Sequence, residues 1–455
     1  MDPTNLESIA RWSGAALPVH GPESVASIVC TDSRALKAGD LFIALRGEKF
    51  DGHSFVPEAA QRGAVGAIVE EIPAELPRGF AVLQVPDTLT ALQRLAANYR
   101  RSLTLQVVGI TGSNGKTSTK DLTAAVLAEH FQVLKTEGNF NNHIGLPLTM
   151  LRARSGDQIG VLEMGMNHPG EIAPLAALAA PDVAIITNIG MAHIEFMGSR
   201  EAIAQEKGML AEALQPSGAL ILSVHDEFSE SIAARTKADT IYAGIGKGDV
   251  YASDLRPHFS GTRFLLHAEG RSVEAELRVP GEHMVLNAML AAAAGRAFGL
   301  SLEECAEGIL KLQLTKGRLE QKVIRGIQIL DDTYNANPDS VRAALHTLAC
   351  MPAAGRRIAV LGRMGELGGE SERGHRMVGE AAVSEHIDCV VGVGDEAQWI
   401  TETAWRGGVE KVVRVETNDE ATKLLRQIAK PGDIVLIKGS RSARMERIVE
   451  GLQES

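Results

Sequence analysis

The sequence predicts an α/β protein of three domains, in which a small mixed domain precedes two domains built on parallel sheets. The chain has 455 residues, which is about three times the roughly 150 residues of an ordinary domain. Short strands and turn-rich connections come first, whereas two later zones alternate continuous apolar strands with helical segments. Such alternation is typical of parallel sheets covered by helices on both faces. We place the domains at 1–85, 86–314 and 315–455.

The N-terminal zone holds four predicted strands and is followed by a helix. The strands are SIVCTDSR, DLFIAL, GAIVEE and FAVLQV. A helix is predicted over 88–101, because Leu89, Leu92 and Leu95 recur at helical spacing after Pro86.

The central zone opens with LQVVGI, a continuous apolar strand that is typical of a parallel sheet. The strands IGVLEMG and VAIITNIG follow. An antiparallel stretch is predicted near 250–279, before an Ala-rich helix over 284–298.

The third zone alternates the strands IQILDD, RIAVLG, DCVVGVG and DIVLIKG with helices. The helices are predicted over 339–349, 371–384 and 441–452. Strands joined through helices in this way predict βαβ units and a second parallel sheet.

Composition and charge exclude several classes of protein. Lys and Arg number 46 against 57 Asp and Glu, a net charge of −11, which argues against broad electrostatic binding to nucleic acid or anionic membranes. No apolar stretch approaches the roughly 18 residues of a membrane span, and the N-terminus lacks a signal pattern. We therefore expect a cytoplasmic protein with no nucleic-acid partner and no membrane insertion.

Four cysteines, Cys30, Cys305, Cys350 and Cys389, lie far apart and form no C-x-x-C pair. This spacing favours buried, reduced thiols over a disulfide framework or a zinc site.

The segment GITGSNGKTST (109–119) lies between an apolar strand and a helix start. Small residues let backbone N–H groups point at an anion, and the helix N-terminus adds partial positive charge. Lys116 is placed to reach terminal phosphates, and the Thr117 hydroxyl to bind Mg²⁺. The common phosphate-loop spacing is not met, since Gly109 stands one residue too early and Gly112 too late. An ordinary turn is the alternative, but the Gly-Lys-Thr triplet favours a nucleoside triphosphate.

Candidate metal ligands follow two later strands. Glu163 ends one strand and His193 follows the next, and ligands bind beyond the carboxyl ends of strands in open parallel sheets. A carboxylate with an imidazole is a partial Mg²⁺ set, although Mg²⁺ prefers oxygen. From the residues alone, a hydrogen-bonded loop histidine remains an alternative for His193, and a solvated lysine paired with Glu206 remains one for Lys207.

Motifs spread along nearly the whole chain resemble the Mur ligase family of ATP-dependent amide-forming enzymes. The segments that carry the resemblance are TDSR (31–34), LFIALRGEKFDGHSF (41–55), GITGSNGKTSTK, TEGNFNNHIGLP (136–147), LEMGMNHPGEI, TNIGMAHIEFMGS, EAIAQEKGML, GEHMVLNAMLAAA, KGRLE, DDTYNANPDS and IKGSRSARME. The spacing of the phosphate loop is that of this family. Three segments, NFNNHIGLP, GMNHPGEI and DDTYNANP, are similar to the members that add D-alanyl-D-alanine.

The resemblance implies a fold and a reaction. The N-terminal domain would bind a uridine nucleotide, the central domain would be a P-loop ATPase domain, and the C-terminal domain would be Rossmann-like and bind the incoming dipeptide. D-alanyl-D-alanine (D-Ala-D-Ala) would be joined to UDP-N-acetylmuramoyl-tripeptide (UDP-MurNAc-tripeptide) through an acyl phosphate, giving the pentapeptide precursor of peptidoglycan. The implied partners are these substrates, ATP and two Mg²⁺ ions, and we expect a monomer.

The resemblance also implies roles for single residues. The implied catalytic residues are Lys116, His193 and Lys207. In the family, the lysine that corresponds to Lys207 is carbamylated, which turns an ammonium into an oxygen ligand. The implied metal ligands are Thr117, Glu163, His193 and Lys207. The implied ATP contacts are Gly112, Ser113, Asn114, Gly115, Lys116, Thr117, Ser118, Asn287, Arg318 and Asp332. The implied substrate contacts are Ser33, Arg34, Asn139, Asn142, Tyr334, Asn335, Asn337 and Arg441. Asp339 and Ser340 are predicted to cap the helix that follows them.

Other members of the family remain alternatives. A ligase that adds lysine or diaminopimelate is the nearest, but the D-N-P-R sequence typical of the diaminopimelate-adding member is absent. Folate polyglutamation needs no uridine domain, and a nucleotide-gated binding protein without net chemistry is the alternative outside enzymes. The loop LGRMGELG (361–368) departs from the family, because Arg363 stands where an acid is usual, while Glu366 is retained. Gly317 is a candidate hinge between the last two domains.

Overall fold

The computed structural model describes residues 1–17, 20–21, 23–47, 50–258 and 260–454. Glu48 and Lys49, which belong to the segment 41–55 noted above, lie outside the described residues. The chain divides into two compact units. Unit 1 comprises Met1–Gly109, Phe131–Met166 and Glu171–Asp182, and unit 2 comprises Ile110–His130, Asn167–Gly170 and Val183–Ser455.

Strands and helices alternate along the described residues. The strands, β1 to β21 in chain order, are Thr4–Asn5, Val25–Ala26, Val29–Cys30, Leu41–Ile43, Gly66–Val69, Ala81–Gln84, Gln106–Thr111, Val133–Lys135, Ile159–Glu163, Val183–Ile186, Ala219–Ser223, Asp239–Ile245, Val250–His258, Gly261–Ala268, Arg271–Leu277, Glu320–Ile324, Ile327–Asp332, Arg357–Leu361, Cys389–Val393, Lys411–Val415 and Ile434–Lys438. The α-helices, α1 to α17, are Leu6–Ser13, Val56–Gln61, Thr88–Arg101, Lys116–Leu127, Gly145–Met150, Ile172–Ala179, Ile194–Met197, Arg200–Lys207, Met209–Glu212, Ser229–Ala233, Glu282–Ala297, Leu302–Leu310, Pro338–Cys350, Ser371–Ser384, Gln398–Arg406, Asn418–Ile428 and Glu446–Gln453. Short 3₁₀ helices span Gly52–Phe55, Gly368–Glu370 and Arg441–Ala443.

Unit 1 contains a four-stranded parallel sheet in the order β3-β4-β5-β6. Every residue of β4 and β5 is buried, as expected of inner strands covered on both faces. Helix α3 confirms the predicted helix over 88–101. Asp87 starts it by accepting a hydrogen bond from the backbone N–H of Thr90 at 2.6 Å. The parallel pair β8 and β9 lies in the same unit.

The first sheet of unit 2 is formed by β10 to β15 and the end of β7, in the order β15-β14-β13-β12-β11-β10-β7. Neighbours from β10 to β13 are parallel, whereas β13, β14 and β15 are antiparallel. The predicted antiparallel stretch near 250–279 is therefore confirmed. The backbone N–H of Thr187, just after β10, donates to the carbonyl of Thr111 at 3.0 Å. The loops that follow β7 and β10 consequently start side by side.

Helices α4, α11 and α12 pack closely in unit 2. The predicted Ala-rich helix is α11, which is buried on most of its surface, as is typical of a core helix. Gly308 lets α12 approach the backbone of α4, because a Cβ at this position would lie only 2.9 Å from the backbone nitrogen of Val126. This packing fixes the position of the helix that follows the phosphate loop.

The second sheet of unit 2 has the order β16-β17-β21-β18-β19-β20. All neighbours are parallel except the edge pair β16 and β17. Apolar clusters cover both faces, which confirms the predicted parallel sheet of the third zone. In the register, Lys438 at the end of β21 lies between Asp332 and Leu361. The carboxyl ends of three strands therefore meet at one edge.

Two predicted elements are wrong. The segment TDSR is not part of a strand, because β3 ends at Cys30 and the Asp32 carboxylate accepts the backbone N–H of Arg34 at 3.0 Å, which forms a turn. The helix predicted over 441–452 is wrong at its start, because α17 begins only at Glu446. Arg444 has φ 50°, which separates the 3₁₀ turn before it from α17.

The four cysteines are free, but two of them differ from the prediction of burial. Cys305 and Cys389 are buried, Cys30 is half-buried and Cys350 is exposed. Cys350 is the last residue of α13, where the helix reaches the surface. In the part of the chain that the structure describes, no helix has both the length and the apolar character that crossing a membrane requires.

The close packing at Gly308 predicts a loss of stability on substitution. Gly308→Ala should lower the free energy of unfolding by roughly 1–3 kcal/mol, because α12 or α4 must shift. Gly156→Ala is the control, since a Cβ there meets open space, and it should change that free energy by less than about 0.5 kcal/mol. Urea unfolding followed by circular dichroism measures both. Equal midpoints for the two variants would contradict the packing.

Candidate active site

The phosphate loop takes its shape from the segment that follows β10. Gly112 has φ 149°, and a Cβ there would overlap the Thr187 hydroxyl. That hydroxyl donates to the carbonyl of Asn114 at 2.5 Å. Asn188 accepts from the backbone N–H groups of Ser113 (2.9 Å, to its carbonyl) and Asn114 (3.0 Å, to its side chain). A residue with a side chain at position 112 cannot make this approach.

The end of the loop packs against α11. Gly115 has φ 77°, and a Cβ there would lie 2.7 Å from Oδ1 of Asn287. Asn287 is buried in α11, and its side-chain amide packs against the end of the loop at Gly115. Among the residues that the structure describes, no side chain caps the first turn of α4, which begins at Lys116 and continues through Ser118. An uncapped helix N-terminus after a curled loop is the geometry that binds phosphate groups.

The ammonium of Lys116 folds back over the loop. Its Nζ donates to the carbonyls of Gly112 at 2.7 Å and Ser113 at 3.3 Å. The positive charge of Lys116 therefore lies beside the loop, and its predicted contact with the terminal phosphates stays a prediction.

Lys207 is the last residue of α8, and its side chain is completely buried. Its Nζ has no hydrogen-bond partner within the part of the chain that the structure describes. Burial lowers the pKa of Lys207 well below 10.5, and the nearby charge of Lys116 lowers it further. The solvated lysine that was the alternative is excluded. Burial therefore favours the neutral amine, which is the form that reacts with electrophiles.

His193 is the N-cap residue just before the short helix α7 and has φ 63°. Its Nδ1 lies 2.6 Å from Oε2 of Glu366. Burial lowers the pKa of His193, the adjacent Glu366 carboxylate opposes this shift, and the charge of Lys116 adds to it. The structure thus brings together the three predicted catalytic residues Lys116, His193 and Lys207.

Glu163 ends β9 in unit 1 and is buried. Its Oε1 accepts from the side chain of Asn141 at 2.8 Å. Its Oε2 has no hydrogen-bond partner among the described residues. A buried carboxylate oxygen left in this way needs a positive partner, so this side chain fits the oxygen donor that Mg²⁺ prefers.

Asn142 and Asn139 follow β8 in unit 1. The Asn142 carboxamide accepts the backbone N–H groups of Ile144 (3.1 Å) and Gly145 (2.8 Å), and so shapes the start of α5. The side chain of Asn139 is exposed. Asn142 therefore has a structural role that the sequence did not suggest, and both predicted substrate contacts stay predictions.

Thr117 and Arg318 are in contact, although 201 residues separate them. Nη2 of Arg318 donates to the Thr117 hydroxyl at 3.0 Å, and its guanidinium lies 4.3 Å from the centre of the Tyr334 ring. The guanidinium of Arg441 lies 6.0 Å from the same ring. Two predicted ATP contacts and two predicted substrate contacts therefore form one cluster.

Three further predicted residues are engaged by hydrogen bonds. Asp332 forms an ion pair with Lys438 at 2.5 Å, and Lys438 also donates to the carbonyl of Asn335 at 2.9 Å. Asn337 donates through its side chain to Oδ1 of Asn114 in the phosphate loop, at 2.7 Å.

The predicted cap of α13 is wrong for Asp339 and partly confirmed for Ser340, whose hydroxyl accepts the backbone N–H of Asn337 at 3.0 Å in a capping box. The cap is Asn337, which accepts the backbone N–H of Ser340 at 2.9 Å, because Pro338 occupies the first helical position. Asp339 instead accepts the backbone N–H of Met191 at 2.9 Å. Sequence reasoning missed this contact, since nothing local in DDTYNANPDS indicates a partner 148 residues away.

In unit 1, Ser33 is buried and its hydroxyl donates to Oε2 of Glu58 at 3.3 Å. Arg34 is exposed and makes two hydrogen bonds to Asp32, at 2.9 and 2.8 Å. An exposed guanidinium of this kind costs little to redirect toward an anionic ligand.

Models of one protein family match most of the chain. The model of the Mur ligase family, catalytic domain, matches residues 25–100, that of the Mur ligase middle domain matches 110–295, and that of the Mur ligase, glutamate ligase domain, matches 317–441.

Two curated relatives carry the same name, UDP-N-acetylmuramoyl-tripeptide–D-alanyl-D-alanine ligase. The protein of Bacillus subtilis (strain 168) is 40% identical over 433 residues, which cover 94% of this chain and 93% of the relative. That of Escherichia coli (strain K12) is 38% identical over 444 residues, which cover 96% of each chain.

Solved structures match over the same range. MurF from Acinetobacter baumannii superposes with a TM-score of 0.92 at 34% identity and covers 100% of both chains. MurF ligase from Thermotoga maritima in complex with ADP superposes with a TM-score of 0.84 at 30% identity, covering 94% of this chain and 97% of the other. These matches confirm the predicted α/β fold with its parallel-sheet central and C-terminal domains. The boundaries at residues 85 and 314 stay predictions.

The buried amine of Lys207 predicts a pH dependence of stability. Its pKa is lowered in the folded protein, so the unfolded chain binds the extra proton between that lowered pKa and 10.5. The free energy of unfolding therefore rises with pH in this window. The free energy of unfolding of the wild type minus that of Lys207→Met should rise by up to about 1.4 kcal/mol per pH unit. Urea unfolding in CO₂-free buffer from about pH 7 to 9 measures it.

The control is Lys311→Met, because Lys311 is exposed and paired with Glu129 at 2.7 Å. Its difference from the wild type should not rise with pH in the same range. A flat difference for Lys207→Met as well would show that its amine is protonated in the folded protein.

Proposed function

The chain belongs to the Mur ligase family, and we propose that it is the ATP-dependent ligase that joins D-Ala-D-Ala to UDP-MurNAc-tripeptide in peptidoglycan synthesis. The observation that carries the proposal is the 40% identity, over 94% of the chain, to a ligase named for this reaction. The curled loop before the N-terminus of α4 supports the use of ATP, because this geometry binds phosphate groups.

The chemistry explains why ATP is required. A carboxylate is a poor electrophile at neutral pH, so the terminal carboxylate oxygen of the tripeptide attacks the γ-phosphorus and ADP leaves. The dipeptide amine then attacks the carbonyl carbon of the acyl phosphate and loses a proton, and the carbon–oxygen bond to phosphate breaks. The products are UDP-MurNAc-pentapeptide, ADP and phosphate.

The phosphate loop is proposed to hold the triphosphate. The backbone from Gly112 to Ser118 surrounds the phosphates, and Lys116 exchanges its bonds to loop carbonyls for bonds to phosphate oxygens. Arg318 stands beside Thr117 and supplies a second positive charge to the phosphates. Asp332 is proposed for the ribose. Asn287 supports the loop at Gly115 in addition to its proposed contact with adenine.

Two Mg²⁺ ions are proposed, and they supply neutralisation of the charge on the transferring phosphoryl group. The proposed ligands are Thr117, Glu163, His193 and Lys207. Lys207 would serve as a carbamate, because Mg²⁺ prefers the oxygen ligands that a carbamate supplies to an amine nitrogen. Burial lowers the pKa of this amine and so favours its neutral form, from which the nitrogen can attack CO₂, form the N–C bond and release a proton.

The substrates are proposed to divide among the three domains. Ser33 and Arg34 in the domain 1–85 bind the uridine nucleotide, and the cluster around Tyr334 in the domain 315–455 binds the dipeptide. The remaining proposed substrate contacts are Asn139, Asn142, Asn335, Asn337 and Arg441. The cytoplasmic location and the monomeric state stay predictions.

A coupled assay of phosphate release tests the proposed function. Phosphate should appear only when ATP, UDP-MurNAc-tripeptide and D-Ala-D-Ala are all present, and mass spectrometry should detect the pentapeptide product. Lysine and diaminopimelate replace the dipeptide as controls. Release with a single amino acid, or release without any acceptor, would reject the proposal.

The carbamate predicts a specific loss and recovery. Lys207→Ala should lower kcat by roughly 100-fold or more, because a metal ligand is lost. Short carboxylic acids should restore part of the activity by supplying the missing oxygens. Lys311→Ala is the matched control, since this lysine is exposed, and it should keep its activity. Full activity of Lys207→Ala would exclude the carbamate.

A further inference from the structure

Residues 311–319, which connect α12 to β16 and are called the linker below, lie along helix α4. Side chains join the linker to the helix at three levels, from just beyond the C-terminal end of α4 to its first turn. The contacts are Lys311 with Glu129, Thr315 with Asp121, and Arg318 with Thr117. The linker therefore runs antiparallel to the helix that follows the phosphate loop.

The middle contact of the three is made by a buried carboxylate. Oδ2 of Asp121 accepts the backbone N–H of Thr315 at 3.0 Å and its hydroxyl at 2.8 Å. The other oxygen, Oδ1, lies 3.3 Å from Nζ of Lys120, and both side chains of this ion pair are only 1% exposed. A carboxylate can accept hydrogen bonds on both oxygens, so Asp121 holds the linker with one and balances a buried ammonium with the other.

The contact at Lys311 is weaker in kind. The Lys311 side chain is 56% exposed, and ion pairs at the surface contribute little free energy. Hydrogen bonds to an ionised carboxylate are stronger than those between neutral groups, and burial keeps water from competing for the Asp121 oxygens. Asp121 is therefore the contact that determines where the linker lies on the helix.

The anchored residue stands close to a positive charge of the active site. Two residues separate Thr315 from Arg318, and the carbonyl of one of them, Gly317, accepts the backbone N–H of Tyr334 at 3.1 Å. The linker then returns to α4, where Nη2 of Arg318 donates to the Thr117 hydroxyl at 3.0 Å. Fixing the linker at Thr315 therefore restricts where the Arg318 guanidinium can lie.

We propose that Asp121 is a positioning residue, which anchors the linker on α4 and thereby holds the Arg318 guanidinium beside Thr117 at the phosphate loop. The expected effect on ATP rests on the proposed function, in which Arg318 meets the phosphates, whereas the anchoring itself does not. Thr315 lies between the segments matched by two family models, 110–295 and 317–441. Asp121 thus ties the helix of the phosphate loop to the connection between these two segments.

Two variants weaken the anchor in different ways. Thr315→Val removes one of the two hydrogen bonds and leaves the ion pair of Asp121 intact. Asp121→Asn keeps a single acceptor oxygen, which cannot serve both Thr315 and Lys120. Thr403→Val is the matched control, because the Thr403 hydroxyl also bonds a charged side chain but lies on α15. Lys311→Ala is the second control, since it removes only the exposed contact of the linker.

ATP binding is measured on the full chain by isothermal titration calorimetry, with Mg²⁺ and without the other two substrates. Thr315→Val should raise the Kd for ATP by about 3–10-fold, as expected for the loss of one hydrogen bond, and Asp121→Asn by at least as much. Both controls should stay within about twofold of the wild type. An unchanged Kd in Thr315→Val overturns the proposal, and this variant decides alone if Asp121→Asn does not fold.

A double-mutant cycle separates positioning from a general loss of stability. In the Arg318→Gln background, Thr315→Val should change the Kd for ATP by less than about twofold, because the guanidinium that the anchor positions is already absent. If the effect of Thr315→Val on the Kd is as large in this background as in the wild type, the anchor does not act through Arg318 and the proposal is overturned.

Kinetics distinguish this proposal from the proposed function. In the coupled assay, Thr315→Val should raise the KM for ATP, while the KM for UDP-MurNAc-tripeptide stays within about twofold of the wild type. Equal increases in the two KM values would contradict the positioning of Arg318. A wild type that binds ATP, with the expected differences among the variants, but releases no phosphate overturns the proposed function and leaves the role of Asp121 standing.

Discussion

The phosphate loop can pass Thr187 only because residue 112 carries no side chain, and much of unit 2 depends on this approach. The Thr187 hydroxyl holds the carbonyl of Asn114, which sets the curvature of the loop and the start of α4. From there the contacts spread outward. Asn114 reaches Asn337 at the cap of α13, and Thr117 reaches Arg318. A change in the conformation of the loop would therefore displace residues that are proposed to bind the dipeptide.

Two of the proposed metal ligands are buried groups that lower the stability of the free protein. Lys207 places an amine in the interior without a partner, and Glu163 leaves one carboxylate oxygen unsatisfied among the described residues. Burying such groups is unfavourable unless something binds them. The surrounding apolar core offsets this cost, and the unsatisfied groups are then available to a cation and to CO₂. The same burial that weakens the free protein provides the chemistry of the proposed reaction.

The inner strands and the helix over 88–101 could be predicted because continuous apolar runs and helical spacing are local signals. The edge strands β16 and β20 could not, since they are mostly half-buried and charged residues interrupt their apolar positions. The contact of Glu366 with His193 joins residues far apart in the chain, and no local spacing encodes it. The resemblance supplied roles for Asn287, Arg318 and Asp332 that ordinary packing or turn formation would otherwise have explained.

The hydrogen bond between Asn114 and Asn337 has a consequence for behaviour in different ionic strengths. Both partners are carboxamides without net charge, so dissolved ions do not screen their attraction as they screen exposed charges. The guanidinium of Arg34, by contrast, lies at the surface beside Asp32. Added salt should weaken the first encounter with an anionic nucleotide there, while the connection between the phosphate loop and α13 keeps its strength.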